Sequence, residues 1–472
     1  MTELTLQRPA TSKVRAKATP RLVLVIVCAG VVLASLDLFI VNVALPQIAR
    51  DLKAPNLGEL SWVLNGYNIV YASLLVFFGR LADRYRRDRG FLLGVAVFTA
   101  ASAACAASTS VSMLIAFRLV QAAGAALLTP TSLGLVLASY EPERRHGAVR
   151  AWTAVGGLAA ALGPVVGGVL VAASWRWIFL VNVPVGLAAL IVGWRRLPHL
   201  PGQATERPDP LGVVLVTAGV GALTFGLVKG SDWGWGSPSI VTVLLWAATL
   251  IGLFVVHCLK SRNPLVQPSL FRSQHFTGAS LVAAIFMTSF GAMLLSVVLW
   301  EQGAWGWSAL RSGLAIAPGP LMVPVMSFLV AGWLIARYGP ALVIALGSVI
   351  FGVGVMWWAL AITARPDYVS GVLGGMILTG VGVGLILPTF MATASASLPP
   401  QAFATGTAVV TMIRQTGLAL GVAVLVAVLG KNASHGYSIT AFRHAWWLTA
   451  VIAFLGVVPA LSLLGRPATA EA

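Results

Sequence analysis

The sequence predicts an all-α polytopic membrane protein, and three observations carry that reading. The chain is 58% hydrophobic and 10% charged over 472 residues, with a mean hydropathy of +0.89. That is far too apolar for a soluble globule and far too long for one anchor. Its apolar residues gather into runs near the ~20 residues a helix needs to cross a bilayer core, separated by charged or Pro/Gly breaks. Finally, its positive charge is distributed unevenly between alternate connections.

Fourteen runs follow one another: 21–45, 59–79, 90–108, 111–137, 149–172, 177–194, 211–229, 238–259, 277–301, 309–335, 341–362, 369–395, 404–430 and 444–465. The first continues from Leu22 to Leu45, too long for the apolar region of a cleavable signal peptide. An even number of crossings puts both termini on one side. If the N-terminus is cytoplasmic, connections on that side hold 21 Lys and Arg and the opposite ones 8, with Arg118 and Arg414 inside helices. The positive-inside rule therefore sets both termini in the cytoplasm. The formal charge of +17 reports topology and attraction to anionic lipid. It does not report nucleic acid, since no basic run is interleaved with the aromatics of an RNA or DNA reader. Cys28, Cys105 and Cys258 lie inside apolar runs without metal-ligand spacing, so no disulfide, metal or cofactor is expected.

The longest cytoplasmic connections, 195–210 and 260–276, flank the seventh and eighth runs and divide the chain six, two and six. The expected units are a six-helix bundle over 1–200, a two-helix insertion over 201–264 and a second bundle over 265–472. Internal similarity supports the division. Gly79-Arg-Leu81-Ala-Asp83-Arg84-Tyr85 matches Gly332-Trp-Leu334-Ile-Ala336-Arg337-Tyr338 at an offset of 253, each after the second helix of its six. Parallel halves of this kind place a substrate path between them near the membrane midplane.

Ionisable residues in spanning helices cost roughly 2.5–3.5 kcal/mol on insertion scales, so each is a functional candidate. Asp37 lies about sixteen residues into the first run, roughly 24 Å from its inner end at 1.5 Å per residue. Arg118, about seven residues into the fourth run from the other side, reaches a similar depth. The two can pair, either as a static lock or as a carboxylate whose protonation changes as a pocket opens. Gln121 and Gly124 extend a polar stripe from Arg118. Glu301, beside Trp300, Trp305 and Trp307, is either a substrate or proton group or a residue snorkelling at an aromatic belt. Arg414-Gln415 falls near mid-membrane in the thirteenth run, and helix organisation is favoured there over substrate contact. His257 reads as interfacial rather than as part of a proton relay.

Two stretches are candidate moving parts. The turn from Gly79 to Arg89 holds Asp83, Arg84 and Arg87 among five arginines, enough to fix topology and also to form a latch that breaks when the halves rock. In Ala159 to Gly168, helical spacing puts Ala159, Gly163 and Gly167 on one face and Ala160, Pro164 and Gly168 on the next. Both faces lack bulk, so partner helices can approach closely.

Taken together these motifs resemble the fourteen-helix drug:proton antiporter family of the major facilitator superfamily, over essentially the whole chain. Leu36-Asp37-Leu38-Phe39-Ile40-Val41-Asn42-Val43-Ala44-Leu45-Pro46 resembles its first-helix motif, with Phe39 where threonine is usual. Gly79-Arg-Leu-Ala-Asp83-Arg84-Tyr-Arg86-Arg87 resembles the motif between helices 2 and 3, with Arg86 replacing a glycine. Arg118-Leu-Val-Gln121-Ala122-Ala-Gly124 resembles the fourth-helix motif, with Ala122 in place of a glycine. Gly163-Pro164-Val-Val-Gly167-Gly168 resembles the antiporter motif of helix 5, followed by Ser174-Trp175-Arg176-Trp177 and Asn182-Val-Pro184-Val-Gly186. Arg414-Gln415-Thr416-Gly417 resembles the helix 13 signature.

The resemblance implies a major facilitator fold and export driven by proton entry at the cytoplasmic membrane. Asp37, Arg118 and Glu301 are the expected proton-coupling residues, and Asn42, Gln121, Trp300 and Glu301 the expected substrate cavity. Gly79, Asp83, Arg84 and Arg87 would form the latch. Gly163, Pro164, Gly167 and Gly168 would bias the chain to antiport. The expected partners are a drug-like small molecule, cationic if Glu301 binds it, with protons and the lipid bilayer; the expected active form is a monomer. A dedicated exporter of a metabolite, amino acid or lipid, or a non-transporting membrane sensor, would use the same fold. An ATP-driven pump is disfavoured because no Walker-type phosphate loop is present, and an enzyme because no catalytic cluster is.

Overall fold

The computed structural model describes residues 19–200, 208–398, 402–430 and 438–465, and among these no strand occurs. The two termini expected in the cytoplasm lie outside the described residues. The chain begins with α1 (Pro20–Asp51), α2 (Leu57–Arg84), α3 (Arg87–Ala106), α4 (Val111–Ser139) and α5 (Pro142–Ala173). A short α6 (Trp177–Leu180) leads into α7 (Asn182–Arg196), and α8 (Pro210–Trp233) and α9 (Pro238–Lys260) follow. The remainder comprises α10 (Gln274–Leu299), α11 (Ala309–Ile316), α12 (Pro318–Val325), α13 (Gly332–Ala361), α14 (Gly374–Ala396), α15 (Phe403–Leu429), α16 (Ile439–Leu455) and α17 (Val457–Leu463). Local chemistry sets many starts: Ser110, Asp209, Ser237, Ser273, Ser308 and Ser438 are N-caps whose side chains accept an N–H three residues on. Pro210 and Pro238 occupy the first helical turn, where a missing N–H costs nothing.

Among the described residues thirteen helical stretches are long and apolar enough to cross a membrane, against the fourteen expected. The difference lies in one place. The expected runs 309–335 and 341–362 fall within a single stretch, Ala309–Ala361, of 53 residues. At Gly339 the backbone leaves the helix with φ 78° and ψ 162°, and Pro340 follows without an N–H to give. The helical pattern resumes so promptly that the stretch reads as one helix, although ~80 Å of helix is more than twice a ~30 Å hydrocarbon core.

Packing follows the small residues. α1 lies against α5, α4 and α7; α3 against α4 and α7; and α2 against α4. In the other half of the chain α10 packs on α15, α14 and α16, and α13 on α14 and α16. A Cβ at Gly124 would lie 2.6 Å from the Phe98 nitrogen, so only glycine admits α3 this close to α4. Across the two sets, α2 meets α15, α5 meets α11, and α1 meets α10. α8 and α9 pair with each other, and α8 rests on both α2 and α15. All three cysteines are free, Cys105 and Cys258 buried and Cys28 half-buried.

Candidate functional site

Asp37 and Arg118 meet in the interior. Asp37 is 0% and Arg118 1% exposed, and Arg118 Nη1 donates to Asp37 Oδ2. The helices around the pair complete it. Gln121, one turn beyond Arg118 on α4, donates through Nε2 to Asp37 Oδ1 at 2.9 Å and to Ser102 Oγ of α3 at 2.8 Å. Asn182, at the start of α7, donates to the same two acceptors at 3.3 Å each. The guanidinium has other partners as well: Gln121 Oε1 at 2.7 Å, the Val63 carbonyl of α2 at 3.2 Å, and the face of Tyr67 at 4.0 Å.

This arrangement satisfies the carboxylate from two helices, α4 and α7, and the guanidinium from α1, α2 and its own α4. It also gives Arg118 alternatives. A proton on Asp37 cancels the charge pair but leaves the guanidinium bonded to Gln121, the Val63 carbonyl and the Tyr67 ring. Removing one charge of a buried pair ordinarily strands the other at a cost of 3–5 kcal/mol. Here the partner cation has hydrogen bonds and a π face of its own.

Glu301 is also fully buried, which sets aside the snorkelling alternative. Trp300, Trp305 and Trp307 are buried beside it rather than exposed as an interfacial belt. It lies in a π-helical turn, Trp300–Ala304, that continues α10, a local widening common at functional sites. Ser312 Oγ of α11 donates to Glu301 Oε2 at 2.5 Å, while Glu301 Oε1 has no partner. The next residue, Gln302, donates to the Val43 carbonyl of α1 at 2.9 Å and so ties α10 to α1.

The small-residue faces of α5 receive two different helices. A Cβ at Gly163 would lie 2.8 Å from Phe39 Cβ, and one at Gly167 3.0 Å from the Ile40 carbonyl, so this face takes α1. A Cβ at Gly168 would lie 2.7 Å from the Ala309 carbonyl, and one at Gly313 2.5 Å from the Pro164 carbonyl, so the adjacent face takes α11. Toward the other end of α5, Gly156 also receives α1, its Cβ position 2.9 Å from Val31, while Gly147 and Gly157 have nothing within 4 Å of theirs.

The turn after α2 divides its arginines. Arg86 pairs with Asp88 at 2.5 Å, and His199 joins them at 2.6 Å from Arg86. Asp88, though acidic in a basic turn, is buried. Arg80 donates to the carbonyls of Asn263 and Leu265 at 3.5 and 3.4 Å. Leu265 N–H in turn donates to Asp209 Oδ2 at 2.9 Å, and His257 Nε2 lies 2.9 Å from that oxygen. The end of α2 is thereby linked to the ends of α8 and α9. Of the other latch residues, Gly79 faces Pro130, Arg87 packs on Gly134 and Arg84 closes α2. The side chain of Asp83 lies outside the described residues.

The remaining candidates are placed as follows. Asn42 donates to the Leu38 and Phe39 carbonyls of its own helix, at 3.5 and 3.3 Å. Gly417 on α15 lets α10 approach, its Cβ position 2.9 Å from the Ala284 carbonyl. Arg414 Nε and Gln415 Oε1 are out of reach of solvent and unpartnered. The sequence did not single out Ser102, Asn182 and Tyr67. Asn182 stood in a quoted motif, but nothing in a serine set among alanines distinguishes Ser102.

The family model described as Major Facilitator Superfamily matches residues 27–422 and 281–472. The chain is 34% identical over 416 residues to a probable actinorhodin transporter of Streptomyces coelicolor, covering 84% of this chain and 71% of that one. It is 32% identical over 465 residues to the cephamycin export protein CmcT of Amycolatopsis lactamdurans, covering 96% and 95%. It is 33% identical over 414 residues to the multidrug resistance protein Stp of Mycobacterium tuberculosis, covering 87% and 76%. In fold it is similar to an auto-inhibited POT family peptide transporter, with a TM-score of 0.71 at 16% identity, covering 95% of this chain and 97% of that one.

Proposed function

The chain belongs to the Major Facilitator Superfamily, and from that premise we propose that it is a proton-coupled antiporter exporting hydrophobic or amphipathic drugs or antibiotics by alternating access. Its relatives are antibiotic exporters and multidrug resistance proteins, and the chain is a drug-efflux transporter of the bacterial inner membrane, not an enzyme. The observation that carries the coupling is the buried pair of Asp37 and Arg118. A proton reaching Asp37 releases α1 from the charge on α4, while Arg118 falls back on Gln121, Val63 and Tyr67. Loss of that proton on the other side restores the pair and resets the carrier. Glu301 is a second proton site, and its bond to Ser312 ties it to α11, the helix that seals against α5.

In the proposed topology fourteen helices cross as six, two and six, with both ends in the cytoplasm. The 53-residue stretch turning at Gly339 supports it, since two crossings there bring thirteen to fourteen. The self-pairing of α8 and α9 supports an insertion between bundles 1–200 and 265–472. Close packing of α5 on α11 near Gly168 supports a conformation closed outside. Both sets of helices that would enclose a path belong to one chain, which favours a functional monomer. The test is a susceptibility panel of antibiotics in cells expressing the chain, with and without a protonophore. Protection that the protonophore abolishes is expected; protection that survives it rules out proton coupling.

A further inference from the structure

Arg414 is the interior cation that the coupling pair leaves unexplained. Arg118 is matched by Asp37, whereas Arg414 has no hydrogen-bond or acidic partner among the described residues, and its Nε is closed off from solvent. A guanidinium serving only as a helix strut would direct its donors to carbonyls or an acid, as Arg118 does at Val63 and Asp37. Its surroundings fix which way it faces. Arg414 is partly exposed and lies within electrostatic range of Tyr71 on α2. Tyr71 is buried, its hydroxyl 3.1 Å from Thr129 Oγ1 of α4. The guanidinium therefore faces the interior seam where α15 meets α2, not lipid.

Both helices carry buried polar atoms without partners: Gln415 Oε1 on α15, and Asn65 Oδ1 and Asn68 Oδ1 on α2. The rings of Tyr67 and Tyr71 stack at 6.0 Å and 12°, and Tyr67 carries Arg118 on its face. Both rings are buried, so the stack is a packed link between the coupling pair and the seam that holds the uncommitted guanidinium. We propose that Arg414, with Gln415, is a recognition site for an anionic group, a carboxylate or phenolate, on an amphipathic cargo. The anion takes the donors of Arg414 in a charge-assisted, bidentate-capable contact. This rests on the reading of the chain as an exporter. It assigns the cargo a charge opposite to the one Glu301 would select.

The test is equilibrium binding of 2-naphthoate and neutral 2-naphthamide to the full chain in lipid nanodiscs, with empty nanodiscs subtracted and no proton gradient. The parent is expected to prefer the naphthoate by about tenfold or more. Arg414→Gln is expected to bring the two affinities within about threefold of each other, while Arg414→Lys keeps most of the preference by keeping the charge. Equal binding of the two probes by the parent overturns the proposal, as does a preference that survives in Arg414→Gln. If Arg414→Gln does not fold, the parent's preference and its retention in Arg414→Lys still decide. Because no gradient is present, failed proton-driven efflux leaves this result standing, and charge-blind binding in a chain that still exports refutes the anion site alone.

Discussion

Replacing Gly313 by alanine should pry α5 from α11. The added methyl would sit 2.5 Å from the Pro164 carbonyl, and ordinary contact begins near 3.4 Å, so the helices must part by about 0.9 Å. Both obstacles, the Pro164 carbonyl and the Gly168 backbone, are main chain and cannot rotate away. Overpacking of this kind costs typically 1–3 kcal/mol. The strain exists only where α5 and α11 touch, so it falls on the state closed at that end and shifts the balance toward the opposite state by about 5- to 140-fold. Gly168→Ala approaches the same seam from the other side, at 2.7 Å from the Ala309 carbonyl, and should act in the same direction. The assay is labelling of a cysteine introduced at the half-buried Ala309, whose carbonyl faces Gly168, by a membrane-impermeant maleimide, in a background lacking the three native cysteines. Gly313→Ala should raise the labelling rate several-fold or more while thermal unfolding shows a folded protein. A rate equal to the parent's would refute the seam as a closure.

Two further outcomes follow from the same geometry. Glu301→Gln keeps an oxygen to accept from Ser312 Oγ but removes an exchangeable proton, so proton release on substrate addition to purified protein should fall by roughly one per chain; unchanged release would exclude Glu301 as a proton site. Burial pushes the Asp209 carboxyl upward, but the N–H groups of Gly212 and Leu265 and the His257 ring more than offset this and hold it below the usual carboxylate range. Its contribution is therefore complete above the unfolded value of about 3.9 and lost as pH falls through the lower folded value. Asp209→Asn should cost about 1.5–3 kcal/mol at pH 7, with the gap to the parent closing below about pH 4; a gap that does not change with pH would contradict this linkage.

The parts of the site readable from sequence were those with a strong one-dimensional signal. Asp37 and Arg118 stand out because charge in a spanning helix is costly, and counting residues from each end gives both the same depth. Gln121 followed from its position three residues after Arg118 on one helix face. The small residues of α5 showed that helices could approach but not which ones; α1 and α11 are separated from it by over a hundred residues, and nothing local encodes that pairing. Asn182 and Ser102 are neutral polar residues on α7 and α3, a type common in membrane helices, and they join Asp37 only through packing. Asn42 shows the converse, a polar residue in a motif that bonds its own helix. The break at Gly339 and Pro340 fell between two expected runs, but sequence does not show that helix resumes at once on either side.

The central claim is that protonation of Asp37 drives export, and inverted membrane vesicles carrying Asp37→Asn test it most directly. The amide is nearly the same size and can still accept from Gln121 or Asn182, while Arg118 keeps Gln121, the Val63 carbonyl and Tyr67, so insertion should match the parent. With a pH gradient established, addition of a transported drug should dissipate it in parent vesicles and leave it intact in the variant. Dissipation and drug uptake equal to the parent's would contradict the account.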